Sequence, residues 1–276
     1  MAPWILVHGW LDNAGTFDTL APLLVSSHPG HSLLCLDYPG HGHSSHLPPG
    51  QMYHYLETIR YIRYVAQHMG YDKFGLMGHS MGAGMSSVFA ATYPEMVTHL
   101  VMIDLIKPVG RKVENIIEKT RLSIDNWISI DKKMSQENFE KVFKTEEEAL
   151  VRLQEAAKLM QGEGAVTEES SRIILKRGIK KVDGGYIFSR DLRHRITSLY
   201  GLSPDMCQEF AKNIKCPHLL IKADSPNYED DDIIAKTIEI YSKNPNFLMV
   251  NVKGSHHVHL NSPELLMPSL TQFLNT

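Results

Sequence analysis

The sequence predicts an α/β protein built on a parallel sheet, and three observations carry that expectation. Over the first part of the chain, short apolar segments alternate with segments of helical spacing, as strands joined by crossover helices do. Ile5-Leu6-Val7, Leu33-Leu34-Cys35-Leu36 and Leu100-Val101-Met102-Ile103 are apolar throughout, the signature of strands buried on both faces of a sheet. The same rhythm breaks off after Pro108 and resumes near His218.

Taken in order, Trp4–Val7 is expected as a strand, Phe17–Val25 as a helix and Leu33–Leu36 as the next strand. Met52–Met69 has the spacing of a long amphipathic helix that Gly70 ends. Phe74–Met77 is a short strand, Met81–Tyr93 a helix closed by Pro94, and Leu100–Ile103 a further strand. At Pro108-Val109-Gly110 the pattern changes. From there to about Ile214 the chain reads as helical and heavily charged, with both signs mixed at helical spacing, as on solvated faces of amphipathic helices. His218–Lys222 (strand), Asp231–Ser242 (helix), Phe247–Val252 (strand) and Ser262–Leu274 (helix) restore the alternation. The expected organisation is a core of residues 1–108 and 215–276 with residues 109–214 inserted as a helical cap.

A chain of 276 residues can bury a sizeable core, and its 43% hydrophobic and 21% charged residues are ordinary for a globular protein. A formal net charge of −3 offers no general attraction to phosphate backbones or anionic membranes, which argues against a nucleic-acid partner. Cys35, Cys207 and Cys216 are too few and too scattered for a disulfide framework or a cysteine metal site, which suggests a reducing compartment. No apolar run approaches the roughly 20 residues of a membrane span. The N-terminal residues lack the basic region and cleavage site of a signal peptide, and the last three lack a peroxisomal signal. A cytoplasmic location is the resulting expectation, with no cofactor or metal ion called for. The sequence leaves the oligomeric state open.

The chemistry centres on Gly78-His79-Ser80-Met81-Gly82, which places a serine where a strand turns directly into a helix. This G-x-S-x-G spacing suits a nucleophile elbow, whose strained turn lifts the hydroxyl above the sheet and leaves no room for a Cβ at either glycine. A serine hydroxyl is a weak nucleophile at neutral pH and needs a base. In an open parallel sheet functional groups gather at the carboxyl ends of strands. Gly254-Ser255-His256-His257-Val258-His259-Leu260 follows the last expected strand and supplies three histidines. The acid that orients the base is either Asp104, at the end of the strand after the elbow helix, or Asp224 or the run Asp230-Asp231-Asp232, beyond the strand His218–Lys222. The acidic run also suits a helix N-terminus, where carboxylates favour the macrodipole. For the oxyanion, the backbone N–H of Met81 is one expected donor. The loop His8-Gly9-Trp10-Leu11-Asp12-Asn13 offers the other, at Trp10.

His8-Gly9, the turn Asp37-Tyr38-Pro39-Gly40-His41-Gly42-His43-Ser44, Gly78–Gly82 and Gly254-Ser255-His256 together resemble the α/β-hydrolase superfamily. His8–Ala14 with Phe17-Asp18, and His256-His257-Val258-His259, look like the serine hydrolase-like proteins of animals. The resemblance implies an α/β-hydrolase fold with an inserted cap, selects His256 as the base, makes His259 an accessory histidine and gives Asp37 a structural role. Met102–Pro108 is similar to the acid-bearing segment of haloalkane dehalogenases, which favours Asp104; the usual acid position after the penultimate strand holds Ser225-Pro226. Dehalogenases and epoxide hydrolases use an aspartate nucleophile, so Ser80 disfavours their chemistry. Family members usually carry a strand pair ahead of the His-Gly strand, where this chain has about three residues, so those N-terminal strands are expected to be missing. The implied activity is cofactor-free hydrolysis of a small to medium uncharged ester through Ser80, His256 and Asp104. A non-catalytic binding or regulatory protein and a C–C bond or lactone hydrolase are the competing expectations.

Overall fold

The computed structural model describes residues 3–108, 113–161, 165–196, 198, 201–224 and 232–275. Six parallel strands form one sheet: β1 (Trp4–Val7), β2 (Leu33–Leu36), β3 (Phe74–His79), β4 (Val97–Ile103), β7 (His218–Ala223) and β8 (Phe247–Val252), in the order β2-β1-β3-β4-β7-β8. Side chains alternate across a strand, so each strand feeds two cores. Ile5, Val7, Leu76, Leu100, Met102 and Leu220 face one core, with Ile62 and Ala66 of α2 (Ile59–Met69), Ala83 and Phe89 of α3 (Met81–Thr92), Ala211 of α7 (Pro204–Asn213) and Tyr241 of α8 (Asp232–Tyr241). Leu6, Met77, Val101, Ile103, Leu219 and Ile221 face the other, covered by Leu20 and Leu24 of α1 (Leu20–Ser27) and Leu270 and Phe273 of α10 (Met267–Leu274).

Between β4 and β7 the chain forms α4 (Ile116–Met134), α5 (Glu146–Gln161), α6 (Glu168–Gly178) and then an antiparallel hairpin, β5 (Ile179–Val182) with β6 (Gly185–Phe188), before α7. The hairpin departs from the all-helical expectation. Gly184 and Gly185 take φ of 85° and 148°, so Val182-Asp183-Gly184-Gly185 is a tight reversal that only glycine makes easily. Phe143, Ala149, Leu150 and Leu175 form a small separate core here, with Ile179 and Phe188 against it. α7 packs on α3 and α8 instead.

Three helix starts also differ from the sequence reading. Ala14–Phe17 is a 3₁₀ turn and α1 begins only at Leu20; Leu56–Thr58 is a 3₁₀ turn ahead of α2; Pro263–Leu265 is another ahead of α10. Apolar spacing continues through such turns, so periodicity alone does not separate them from α-helix. Asp230, Asp231, Ser225 and Pro226 lie outside the described residues. Among the described residues no helix is long and apolar enough to cross a membrane, and Cys35, Cys207 and Cys216 are all free.

Candidate active site

The elbow forms where β3 runs into α3 with Ser80 alone between them. Ser80 takes φ 51°, ψ −122°, a conformation unfavourable for a residue with a side chain. Its neighbours hold it there: the Ser80 N–H donates to the Ile103 carbonyl at 2.9 Å, and the Ser80 carbonyl accepts from Ala83 and Gly84. A Cβ on Gly78 would strike the Gly82 carbonyl, and one on Gly82 would strike the carbonyl of Val7, so helix and strand meet at this distance only through glycine. The Ser80 side chain caps nothing and lines a cavity of about 490 Å³ together with Trp10 and Met81.

The loop after β1 approaches the elbow through Gly9, where a Cβ would stand 2.9 Å from His79 Nδ1 and 3.4 Å from Ser80 Cβ. His8 fixes this loop: its Nδ1–H donates to the Gly9 carbonyl at 2.7 Å, and its Nε2 accepts the Tyr38 N–H at 3.1 Å. The Trp10 indole N–H donates to the His194 carbonyl at 2.9 Å, tying loop and inserted segment. Met81 opens α3, and the first N–H groups of a helix have no intrahelical acceptor.

The histidine-rich loop ends in the short helix α9 (Val258–Asn261). His256 Nδ1 lies 2.6 Å from Asp104 Oδ2, while Asp104 Oδ1 accepts the Ala223 N–H at 2.8 Å. Asp104 is 1% exposed and has φ 51°, a turn that aspartate tolerates better than most residues. The structure thus brings His256 to Asp104 and leaves Asp224 exposed at the end of β7. Asp232 is exposed at the start of α8. Of the other two histidines, His257 Nε2 sits 3.6 Å from Asp12 Oδ2, and His259 Nε2 lies 2.8 Å from the Thr16 hydroxyl. The role of Asp12 was not read from the sequence; the doubled histidine at 256–257 was the available signal for a second acid partner.

Asp37 serves the scaffold. It accepts from the N–H groups of Ala14 (2.7 Å) and His43 (2.9 Å) and from the Arg177 guanidinium (2.6 Å). Burial alone would raise its pKa, but Arg177 and the two N–H groups outweigh it and hold the carboxyl below its ordinary value. The cavity walls are largely aromatic and apolar, including Tyr38, Tyr53, Tyr55, Tyr61 and Met85. Arg193, also at the wall, is matched by Asp191 at 2.7 Å and by three main-chain carbonyls.

Burial lowers the pKa of His8, His41, His79, His194 and His259, with His194 brought down to about 4. An unfolded chain takes up protons on these rings below its value of about 6.5, and the folded chain does not, so stability is full above that pH and is lost as pH falls. For His194 the window runs from 6.5 down to about 4. That residue alone accounts for about 2 kcal/mol lost by about pH 5. The urea midpoint is therefore expected to fall steadily between about pH 7.5 and about pH 5. A midpoint that stays flat or rises over that range would contradict the neutral-histidine arrangement.

A family model described as alpha/beta hydrolase fold matches residues 3–147. The chain is 33% identical over 275 residues to the Serine hydrolase-like protein of Danio rerio, covering 99% of this chain and 81% of that one. Against Serine hydrolase-like protein 2 of Homo sapiens it is 30% identical over 284 residues, covering 99% and 86%. A solved structure of a hypothetical protein from Pseudomonas aeruginosa PAO1 superposes with a TM-score of 0.81 at 27% identity, over 100% of this chain and 92% of that one.

Proposed function

Because the chain belongs to the α/β-hydrolase fold family, we propose that it is a serine hydrolase in which Ser80, His256 and Asp104 act as the catalytic triad. The observation that carries this reading is the buried Asp104–His256 contact at 2.6 Å, in a loop tied to the elbow. His79, the residue before Ser80, has its Nε2 2.8 Å from the His256 carbonyl.

Asp104 Oδ2 accepts the His256 Nδ1–H, which leaves the other ring nitrogen, Nε2, unprotonated and able to accept the Ser80 hydroxyl proton. Ser80 Oγ adds to the substrate's acyl carbon, and the negative charge that develops on oxygen is held by the N–H groups of Trp10 and Met81. The C–O bond to the leaving alcohol breaks as His256 returns the proton to it. Water then attacks the acyl-enzyme with His256 again as base, releasing the acid and restoring the Ser80 hydroxyl. The largely apolar and aromatic walls, with Arg193 matched by Asp191 and the further lining cation Arg195 exposed to solvent, support an uncharged ester of small to medium size.

A fluorophosphonate probe tests the proposal, since it labels only a serine activated by its neighbours. Wild-type protein is expected to take up about one probe per chain, at the peptide containing Ser80. No labelling under conditions that label a control serine esterase would favour a binding protein that retains the residues without the activity.

A further inference from the structure

Beneath the triad lies a second polar group that the proposed hydrolysis does not use. Asp12 Oδ2 stands 4.0 Å from His79 Nδ1 and 3.6 Å from His257 Nε2, and the three atoms lie within 4.8 Å of one another. All three residues are buried, at 5%, 1% and 8% exposure. Among the described residues neither Asp12 Oδ2 nor His79 Nδ1 has a hydrogen-bond partner.

The arrangement is chemically incomplete. The His256 carbonyl can only accept, so His79 Nε2 carries the ring proton that points to it. With the ring proton on Nε2, Nδ1 presents its lone pair. This lone pair faces a carboxylate oxygen, so two acceptors oppose each other in a buried setting. Asp12 Oδ1 is occupied by the Asn13 N–H at 3.0 Å, which leaves Oδ2 to face the histidines. Gly9 keeps the space beside His79 Nδ1 open; a Cβ there would stand 2.9 Å from that nitrogen.

We propose that Asp12, His79 and His257 form a binding site for a divalent transition-metal ion of the zinc class. Two imidazole nitrogens and one carboxylate oxygen are the donor set such ions take, with a water completing the shell. Ligands 2.0–2.2 Å from zinc stand roughly 3.3–3.6 Å apart in a tetrahedral site, so the pair at 3.6 Å is already at that spacing and the remaining atoms have to be drawn inward. The His79 Nε2–H on the His256 carbonyl is the outer hydrogen bond that orients a metal-bound histidine. Each ligand adjoins one part of the proposed machinery: Asp12 the Trp10 loop, His79 the nucleophile Ser80, and His257 the base His256. An ion at this point ties the three segments together below the reacting atoms and acts as a positioning device.

Chelator-treated protein, equilibrated with Zn²⁺ and freed of excess, is expected to retain about one ion per chain by elemental analysis. Co²⁺ should give visible d–d absorption in the same stoichiometry. Asp12→Asn and His257→Gln, checked for folding by near-UV circular dichroism, are expected to weaken binding by about tenfold or more and to abolish the cobalt band. A His28→Gln/His31→Gln double variant removes the histidine pair beside Trp4, at the opposite end of β1, and is expected to retain the ion. Wild-type protein without bound metal, or binding lost in the double variant and kept in Asp12→Asn and His257→Gln, overturns the proposal. Should both site variants unfold, X-ray absorption of the zinc-loaded wild type decides: two imidazoles with oxygen support the site, and an all-oxygen or sulfur-containing shell overturns it.

Discussion

Ser80→Ala is expected to abolish fluorophosphonate labelling and to lower ester turnover by about 10⁶-fold while the protein stays folded. The size follows from what is lost: without Oγ no acyl-enzyme forms, and the remaining groups can only bind substrate and polarise its carbonyl. The fold should be indifferent to the change. The Ser80 side chain caps no helix, and the hydrogen bonds that fix the residue, from its N–H to Ile103 and from Ala83 and Gly84 to its carbonyl, are all made by main chain. Alanine has the same Cβ and bears the φ of 51° at similar strain. The melting temperature should therefore stay within the shift of about 0.5 kcal/mol typical of an isolated substitution. Labelling that persists in this variant would place the nucleophile elsewhere; Ser86 and Ser87 of α3 are the nearest serines in sequence, but both are buried.

What the sequence made legible follows from how local each signal is. The elbow is legible because its requirements fall within five residues: glycine where strand and helix touch, serine at the strained turn, apolar residues before it. The six strands are legible because each carries a short apolar run, even where polar residues stand in β4, β7 and β8, whereas the hairpin Ile179–Phe188 is not. Its strands are short and carry Lys180 and Lys181, so it merges with the charged helices around it, and only the Asp183-Gly184-Gly185 turn marks it. Strand-end logic led to the loop at His256 and to Asp104 beside the alternative Asp224, since all follow strands at the carboxyl edge of a parallel sheet, and the family resemblance favoured Asp104. The cluster of Asp12, His79 and His257 was illegible for the opposite reason. Its members come from two loops and the last residue of β3, far apart in sequence, and neither spacing nor periodicity relates them until β1, β3 and β8 are set in one sheet.

Asp104→Asn is expected to lower kcat by about 10⁴-fold with little change in KM. In the wild type one carboxylate oxygen accepts from Ala223 N–H at 2.8 Å and the other lies 2.6 Å from His256 Nδ1. An asparagine whose amide oxygen keeps the Ala223 hydrogen bond must turn its NH₂ toward His256. The ring then meets a donor instead of an acceptor, so Nδ1 becomes the unprotonated nitrogen and the proton moves to Nε2. A protonated Nε2 cannot take the proton of Ser80, and an amide cannot stabilise the imidazolium that forms in the transition state. Backbone strain gives no separate cause of failure, because asparagine is as tolerant as aspartate of the φ of 51° at this position. Asp224→Asn serves as the contrast: its side chain is exposed at the end of β7, and its loss is expected to leave turnover within a factor of about two. Measuring kcat and KM for both variants on one ester, with folding followed by circular dichroism, decides the assignment. A folded Asp104→Asn enzyme with more than about a tenth of wild-type kcat would show that another group orients His256.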